Sequence, residues 1–132
     1  MIKLVLDSNV IISGIVFGGK PRRLLRHFIE GNLELYLSKE IIVEVIEILR
    51  KKFKYTNLML LGIENELASI AGIVEPTIKV DIITEDEDDN KILECALTAG
   101  CDYIISGDHH LLSIGEYQSI QIKSVSEFLD MI

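Results

Sequence analysis

Apolar residues arrive in two rhythms along this chain, short unbroken runs and longer stretches spaced by three and four, and the two alternate from end to end. Lys3–Leu6 is a run that stops at Asp7-Ser8-Asn9, which predicts a buried strand closed by turn residues. Gly18-Gly19 marks a loop, and Pro21 suits the first position of a helix over Pro21–Glu30. Leu24, Leu25, Phe28 and Ile29 share one face of that helix, and Gly31-Asn32 ends it. Leu33–Leu37 predicts a second strand, with Ser38 as N-cap of a helix reaching about Phe53. A further helix is expected over Asn57–Ala71, and Ile73-Val74 and Ile78–Ile83, on either side of Pro76, are strand candidates.

The second half repeats the alternation. A helix over Asp88–Ala99 is ended by Gly100, Asp102–Ser106 is a strand, Gly107 a turn and His109–Ile114 a short helix. Ile120–Lys123 and Ser124–Asp130 supply a last strand and a last helix. Strands that alternate with helices predict an α/β fold around a mostly parallel sheet. The length of 132 residues suits one core, and no repeat, low-complexity tract or linker interrupts it, so one domain over 1–132 is expected. No window is apolar enough to span a bilayer, and the first apolar run is too short for a signal segment; both point to a cytoplasmic protein with no membrane partner. Cys95 and Cys101 match no strong zinc spacing and read as two small buried residues.

Net charge is −8, which argues against a nucleic-acid partner until the positions of the charges are considered. Basic residues gather at Arg22, Arg23 and Arg26 and again at Arg50, Lys51, Lys52 and Lys54, while Glu85–Asp89 is densely acidic. A carboxylate cup for divalent cations needs an acidic focus even when the substrate is an anion. Composition therefore leaves the class of partner open.

In open α/β sheets the binding crevice lies at the carboxyl ends of the strands. Four acids are delivered there. Asp7 closes the first strand, Asp108 follows the Asp102–Ser106 strand, Asp89 opens the helix after Ile78–Ile83, and Glu44 lies in the second turn after Leu33–Leu37. At roughly 100° per residue, Asp89 shares the stripe of Ile92, Leu93 and Ala96, which must pack on the sheet. Helix-dipole stabilisation explains the other acids of that first turn but not one on a buried stripe. Glu44 borders the apolar arc beside Ile41 and Ile48, a weaker preference over Glu40 and Glu47. Taken singly, each acid also has an ordinary structural reading as a turn, cap or solvated residue. Together, converging like charges raise one another's pKa values, and a dication resolves the conflict. Hard oxygen donors select Mg²⁺ or Mn²⁺, one ion or two, suited to phosphodiester hydrolysis.

The ordered set Leu4-Val-Leu-Asp7-Ser8-Asn9-Val10, Glu44, Asp86-Glu-Asp-Asp89-Asn90-Lys91-Ile92-Leu93 and Asp102-Tyr-Ile-Ile-Ser106-Gly107-Asp108 resembles the PIN domain, and within it the branch of toxin components from prokaryotic toxin–antitoxin pairs. The resemblance spans nearly the whole chain. It implies a three-layer α/β/α sandwich and an Mg²⁺- or Mn²⁺-dependent endoribonuclease that leaves 3′-hydroxyl and 5′-phosphate ends. It also implies a homodimer and restraint by a cognate antitoxin protein. Carried over by position, Asp7, Glu44, Asp89 and Asp108 would form the catalytic metal site, with Asn9 and Ser106 orienting the carboxylates. Ser8 stands where Thr is commoner, Glu87 where Pro often occurs, and Asn90 where some members carry another acid, which leaves the number of tightly bound ions open. Arg22, Arg23 and Arg26 are candidates for contacts to RNA phosphates, with a solvated helix face as an equal alternative. Surplus apolar residues between Ile41 and Ala71 are consistent with a dimer.

Three other readings compete. His27, His109 and His110 suggest metal-free acid–base cleavage, but adjacent residues on a helix point in different directions. A phosphatase of the haloacid-dehalogenase type wants a second acid two residues after Asp7, and Asn9 is there instead. A PIN-like module that binds RNA or protein without cutting would have little use for four acids.

Overall fold

In the computed structural model, which describes residues 1–80 and 87–132, six strands form one sheet. They are Lys3–Leu6 (β1), Glu34–Ser38 (β2), Ala71–Val74 (β3), Tyr103–Ile105 (β4), Glu116–Tyr117 (β5) and Ile120–Lys123 (β6). The helices are Ser8–Val16 (α1), Gly19–Ile29 (α2), Lys39–Phe53 (α3), Asn57–Ile70 (α4), Glu87–Ala99 (α5), His109–Ile114 (α6) and Val125–Met131 (α7). Strand order is β3-β2-β1-β4-β6-β5, parallel throughout except for the β5–β6 pair at one edge. This is the α/β architecture expected from the alternation of patterns.

The order has a mechanical reading. From β1 the chain steps outward to β2 and β3, then crosses back to β4 on the other side of β1. Right-handed crossovers therefore put α1 to α4 on one face and α5 on the other. α5 packs across β1, β2 and β4, burying Ile92, Leu93, Cys95 and Ala96. Between the layers, Leu4, Val5, Leu6, Leu37, Ile104 and Ile105 are wholly inaccessible, which explains why the central strands read as unbroken apolar runs.

Local signals fix most boundaries. The Ser38 hydroxyl accepts the Ile41 N–H and caps α3, and Thr56 does the same for α4 through Met59. Arg50 and Lys51 reach back to Glu47 in the last turns of α3, and Lys54 ends the helix in the left-handed conformation. Ser124 and Glu127 form a reciprocal capping box on α7.

Four expectations are corrected. Asp7-Ser8-Asn9 is a helix start rather than a turn; α1 buries Ser8, Val10, Ile11, Ile12 and Gly14 and so shows no clean amphipathic stripe. α2 begins at Gly19, two residues before Pro21, and packs so closely on α1 that a Cβ on Gly14 would sit 2.5 Å from Leu25 Cδ1. Residues 78–80 of the expected Ile78–Ile83 strand lie outside any strand; the remaining three fall outside the described residues. Thr98 Oγ1 accepts from Thr77 N–H and Glu94 Oε2 from Val80 N–H, so side chains of α5, not a neighbouring strand, satisfy this backbone. β5 was not foreseen, because the turn that joins it to β6 uses left-handed Gln118 and Ser119, neither a glycine nor the usual Asn-Gly.

Candidate active site

The reversal of direction at β1 creates a crevice between the carboxyl ends of β1 and β4, the topological switch point at which α/β sheets bind ligands. Asp7 follows β1 there. Its N–H donates to Ile105 O at 3.0 Å, extending the β1–β4 ladder by one bond and holding the residue against the end of β4. Asp7 occupies the N-cap of α1, yet its side chain makes only a weak contact to the Asn9 N–H rather than a full capping hydrogen bond. Both carboxylate oxygens are used elsewhere.

Ser106 Oγ donates to Asp7 Oδ2 at 2.7 Å, and the same oxygen accepts the Asp108 N–H at 2.9 Å. Ser106 is fully buried and pinned to β6 by a bond from its N–H to Lys123 O. On the other side, Ser8 Oγ lies 3.3 Å from Asp7 Oδ1 and 3.0 Å from Glu44 Oε1. One hydroxyl has one hydrogen, so two carboxylates compete for it. Asp7 and Glu44 are thus within two hydrogen-bond lengths of each other. A strand end, a helix start and the second turn of α3 meet at one hydroxyl.

Asp7 is 6% exposed. Burial pushes its carboxyl pKa above the usual 3.8, and the nearby Asp108 charge adds to the rise; Ser106, the Asn9 N–H and Ser8 oppose it without cancelling it. The site therefore holds an acid reluctant to ionise unaided. Asp108 is half-buried and caps α6, its Oδ1 accepting from His110 N and Leu111 N. Asp89, 4% exposed in the first turn of α5, is buried with Ile92, Leu93 and Ala96 on the same face. Glu85 and Asp86 of the acidic stretch lie outside the described residues.

The structure joins Asp7, Glu44 and Asp108 through two serines. Ser106 contacts Asp7 through its side chain; the Asn9 side chain is exposed and makes no hydrogen bond among the described residues, so Asn9 acts on Asp7 through its backbone alone. Ser8, to which the sequence reading gave no role, is the residue that touches two acids. Its signal was present in Asp7-Ser8, but only a helical start at Ser8 turns that hydroxyl toward α3. Arg22 is committed elsewhere: its Nε and Nη2 donate to Gly14 O and Ile15 O at 2.8 and 2.9 Å, closing the C-terminus of α1. Arg23 and Arg26 are exposed on α2, Arg26 beside Ile63 and Glu66 of α4 rather than beside the acids. His27 pairs with Asn32 at the far end of α2, away from the exposed His109 and His110.

Two hollows flank the acids. One, about 350 Å³, is lined by Lys39, Glu40, Val43, Glu44 and Lys91; the other, about 400 Å³, reaches Ser106 from the α1–α2–α7 side. A larger depression of about 520 Å³ near Ile2 and Asp102 lies at the opposite edge of the sheet and takes no part. Among the described residues, no group of three or more His, Cys, Asp or Glu side chains is already arranged to hold a metal ion. The donor set nonetheless suits one in kind. It is all oxygen, it crowds anions around a buried carboxyl of raised pKa, and hard dications are what such donors select.

The PIN-domain family model matches residues 3–110, a span that takes in Asp7, Glu44, Asp89 and Asp108. The fold is similar to a chain in the structure of VapBC-1 from nontypeable Haemophilus influenzae, with a TM-score of 0.63 at 15% identity, covering 95% of this chain and 99% of that one. No curated protein matches by sequence.

Proposed function

The chain belongs to the PIN-domain family, and from that premise we propose that it is a metal-dependent endoribonuclease whose site is Asp7, Glu44, Asp89 and Asp108. PIN domains are generally nucleases. The observation that carries the reading here is the serine-linked trio of Asp7, Glu44 and Asp108 at the sheet's switch point. Mg²⁺ or Mn²⁺ bound by these carboxylates would polarise the scissile phosphate and make a bound water a stronger nucleophile.

The residues' own tasks follow from their bonds. Ser106 fixes Asp7 Oδ2, leaving the carboxylate one orientation, and places the start of α6, hence Asp108, by accepting its N–H. Ser8 keeps Asp7 and Glu44 together despite their like charge. Asp89 contributes from α5, so the acids come from three helices and one strand end. Residues 1–132 act as one domain in this reading. A homodimer is supported by the exposed apolar residues Val43, Leu58, Met59 and Leu61 on α3 and α4. The likeness to a VapBC-1 chain supports an antitoxin protein as partner and a toxin role. Among the described residues no helix is long and apolar enough to cross a membrane.

The test is cleavage of a structured RNA with Mn²⁺ or Mg²⁺, with and without EDTA, by the wild type and Asp7→Asn. Cleavage that requires both metal and Asp7 is expected; cleavage that survives EDTA, or full activity in Asp7→Asn, would sink the proposal. A module that binds RNA without cutting it is the second reading. It predicts RNA binding with no cleavage under either metal.

A further inference from the structure

A nucleic-acid strand is a polyanion, and here it must approach a site of carboxylates on a chain of net charge −8. Its approach needs a path where acids are absent and a cation is present. The two hollows beside the site differ in this respect. The one at Glu44 has Glu40 and Glu44 in its lining beside Lys39 and Lys91. The one at Ser106 includes Asn9, Ser13, Lys20, Ser106 and Ser126 in its lining and, among the described residues, no acidic one.

Lys20 stands at the start of α2, where its Nζ lies 3.2 Å from the hydroxyl of Ser126 at the start of α7. Its partner is a hydroxyl rather than a carboxylate. The ion pairs among the described residues are those of Arg50 and Lys51 with Glu47, at the far end of α3. Among the described residues Lys20 thus pairs with no carboxylate, and it lines a concave, hydroxyl-rich space that opens onto the serine bonded to Asp7.

We propose that this hollow seats the phosphodiester backbone beside the cleaved bond, with Lys20 pairing to a phosphate and Asn9, Ser13 and Ser126 offering hydrogen bonds around it. The inference rests on the nuclease reading and adds to it the side from which the strand enters. Because the contact is to the backbone, it carries no base preference.

The test measures binding of a short fluorescent single-stranded RNA, and of the DNA of the same sequence, with Ca²⁺ in place of Mg²⁺ or Mn²⁺. Wild type, Lys20→Glu and Lys20→Arg are compared across a salt series. Lys20→Glu should weaken binding of both strands about tenfold and lower the salt dependence by about one charge, and Lys20→Arg should retain both. Wild-type affinity and salt dependence in a folded Lys20→Glu variant would overturn the proposal, as would failure of the wild type to bind either strand. A metal-dependent cleavage assay separates the two ideas. Cleavage that needs Asp7 but has an unchanged KM in Lys20→Glu leaves the nuclease and removes the track. Lys20-dependent binding with no cleavage leaves the track and removes the nuclease.

Discussion

Ser106 and Asp7, ninety-nine positions apart in the chain, meet in a buried 2.7 Å hydrogen bond whose oxygen is fixed from behind by the Asp108 N–H. Ser106→Ala strips a donor from Asp7 and an acceptor from Asp108 in one step. The expected loss of stability is about 1–3 kcal/mol, the ordinary cost of buried polar groups left unsatisfied. Denaturant unfolding measures it. Asp7 should also ionise at higher pH, so the acidic limb of the pH–rate profile should move upward; an unmoved limb would show that Ser106 does not govern the carboxyl.

The raised pKa of Asp7 gives a stability prediction with a definite sign. Its folded value exceeds the unfolded one, so its contribution to stability is fully present below the unfolded pKa and is lost as pH rises through the folded pKa. Ionised Asp7 is therefore a burden at neutral pH. Asp7→Asn should melt at a higher temperature than wild type at pH 7, and the gap should close below about pH 4. Added Mn²⁺ should raise the wild-type melting temperature and leave the variant's unchanged. A variant less stable than wild type at pH 7 would contradict this account.

Gly14 marks the closest approach of α1 and α2. A methyl there would lie 2.5 Å from Leu25 Cδ1 and 3.2 Å from the Pro21 carbonyl atoms. Gly14→Ala gains at most about 1 kcal/mol of helix propensity and should lose about 1–3 kcal/mol to overpacking. Thermal unfolding should show a net destabilisation; a stabilised variant would mean that the helices separate at little cost.

Cys95 and Cys101 are buried, and burial pushes both thiols up to about 12. Neither should react with a disulfide reagent in the native protein at pH 8, and both should react in denaturant. Fast native reaction of either would show that the core between α5 and the sheet opens readily.

The parts of the fold legible in sequence are those in which one rhythm dominates. β1, β2, α3, α5 and β4 announce themselves because their apolar residues face a single layer or none but the core. α1 was hidden because helices α2 and α3 pack against it, so Val10, Ile11 and Ile12 are buried in succession and imitate a strand. The placement of Asp7, Glu44, Asp89 and Asp108 at strand ends and helix faces could be read from the sequence. The serine bonds that join Asp7, Glu44 and Asp108 could not, because Ser8 touches Glu44 only if α1 starts at Ser8. Arg22 shows the opposite failure, since charge alone suggested a phosphate contact and geometry gives it two carbonyls.

The bond from Asp7 N–H to Ile105 O joins the ends of two neighbouring strands that most of the chain separates, and β4 is itself braced by the bond from Ser106 N–H to Lys123 O. Asp7 and Glu44 lie early in the chain, yet the hydroxyl that fixes Asp7 belongs to Ser106, itself held by Lys123. The orientation of Asp7 is thus a property of two segments ninety-nine positions apart, set only when they have paired.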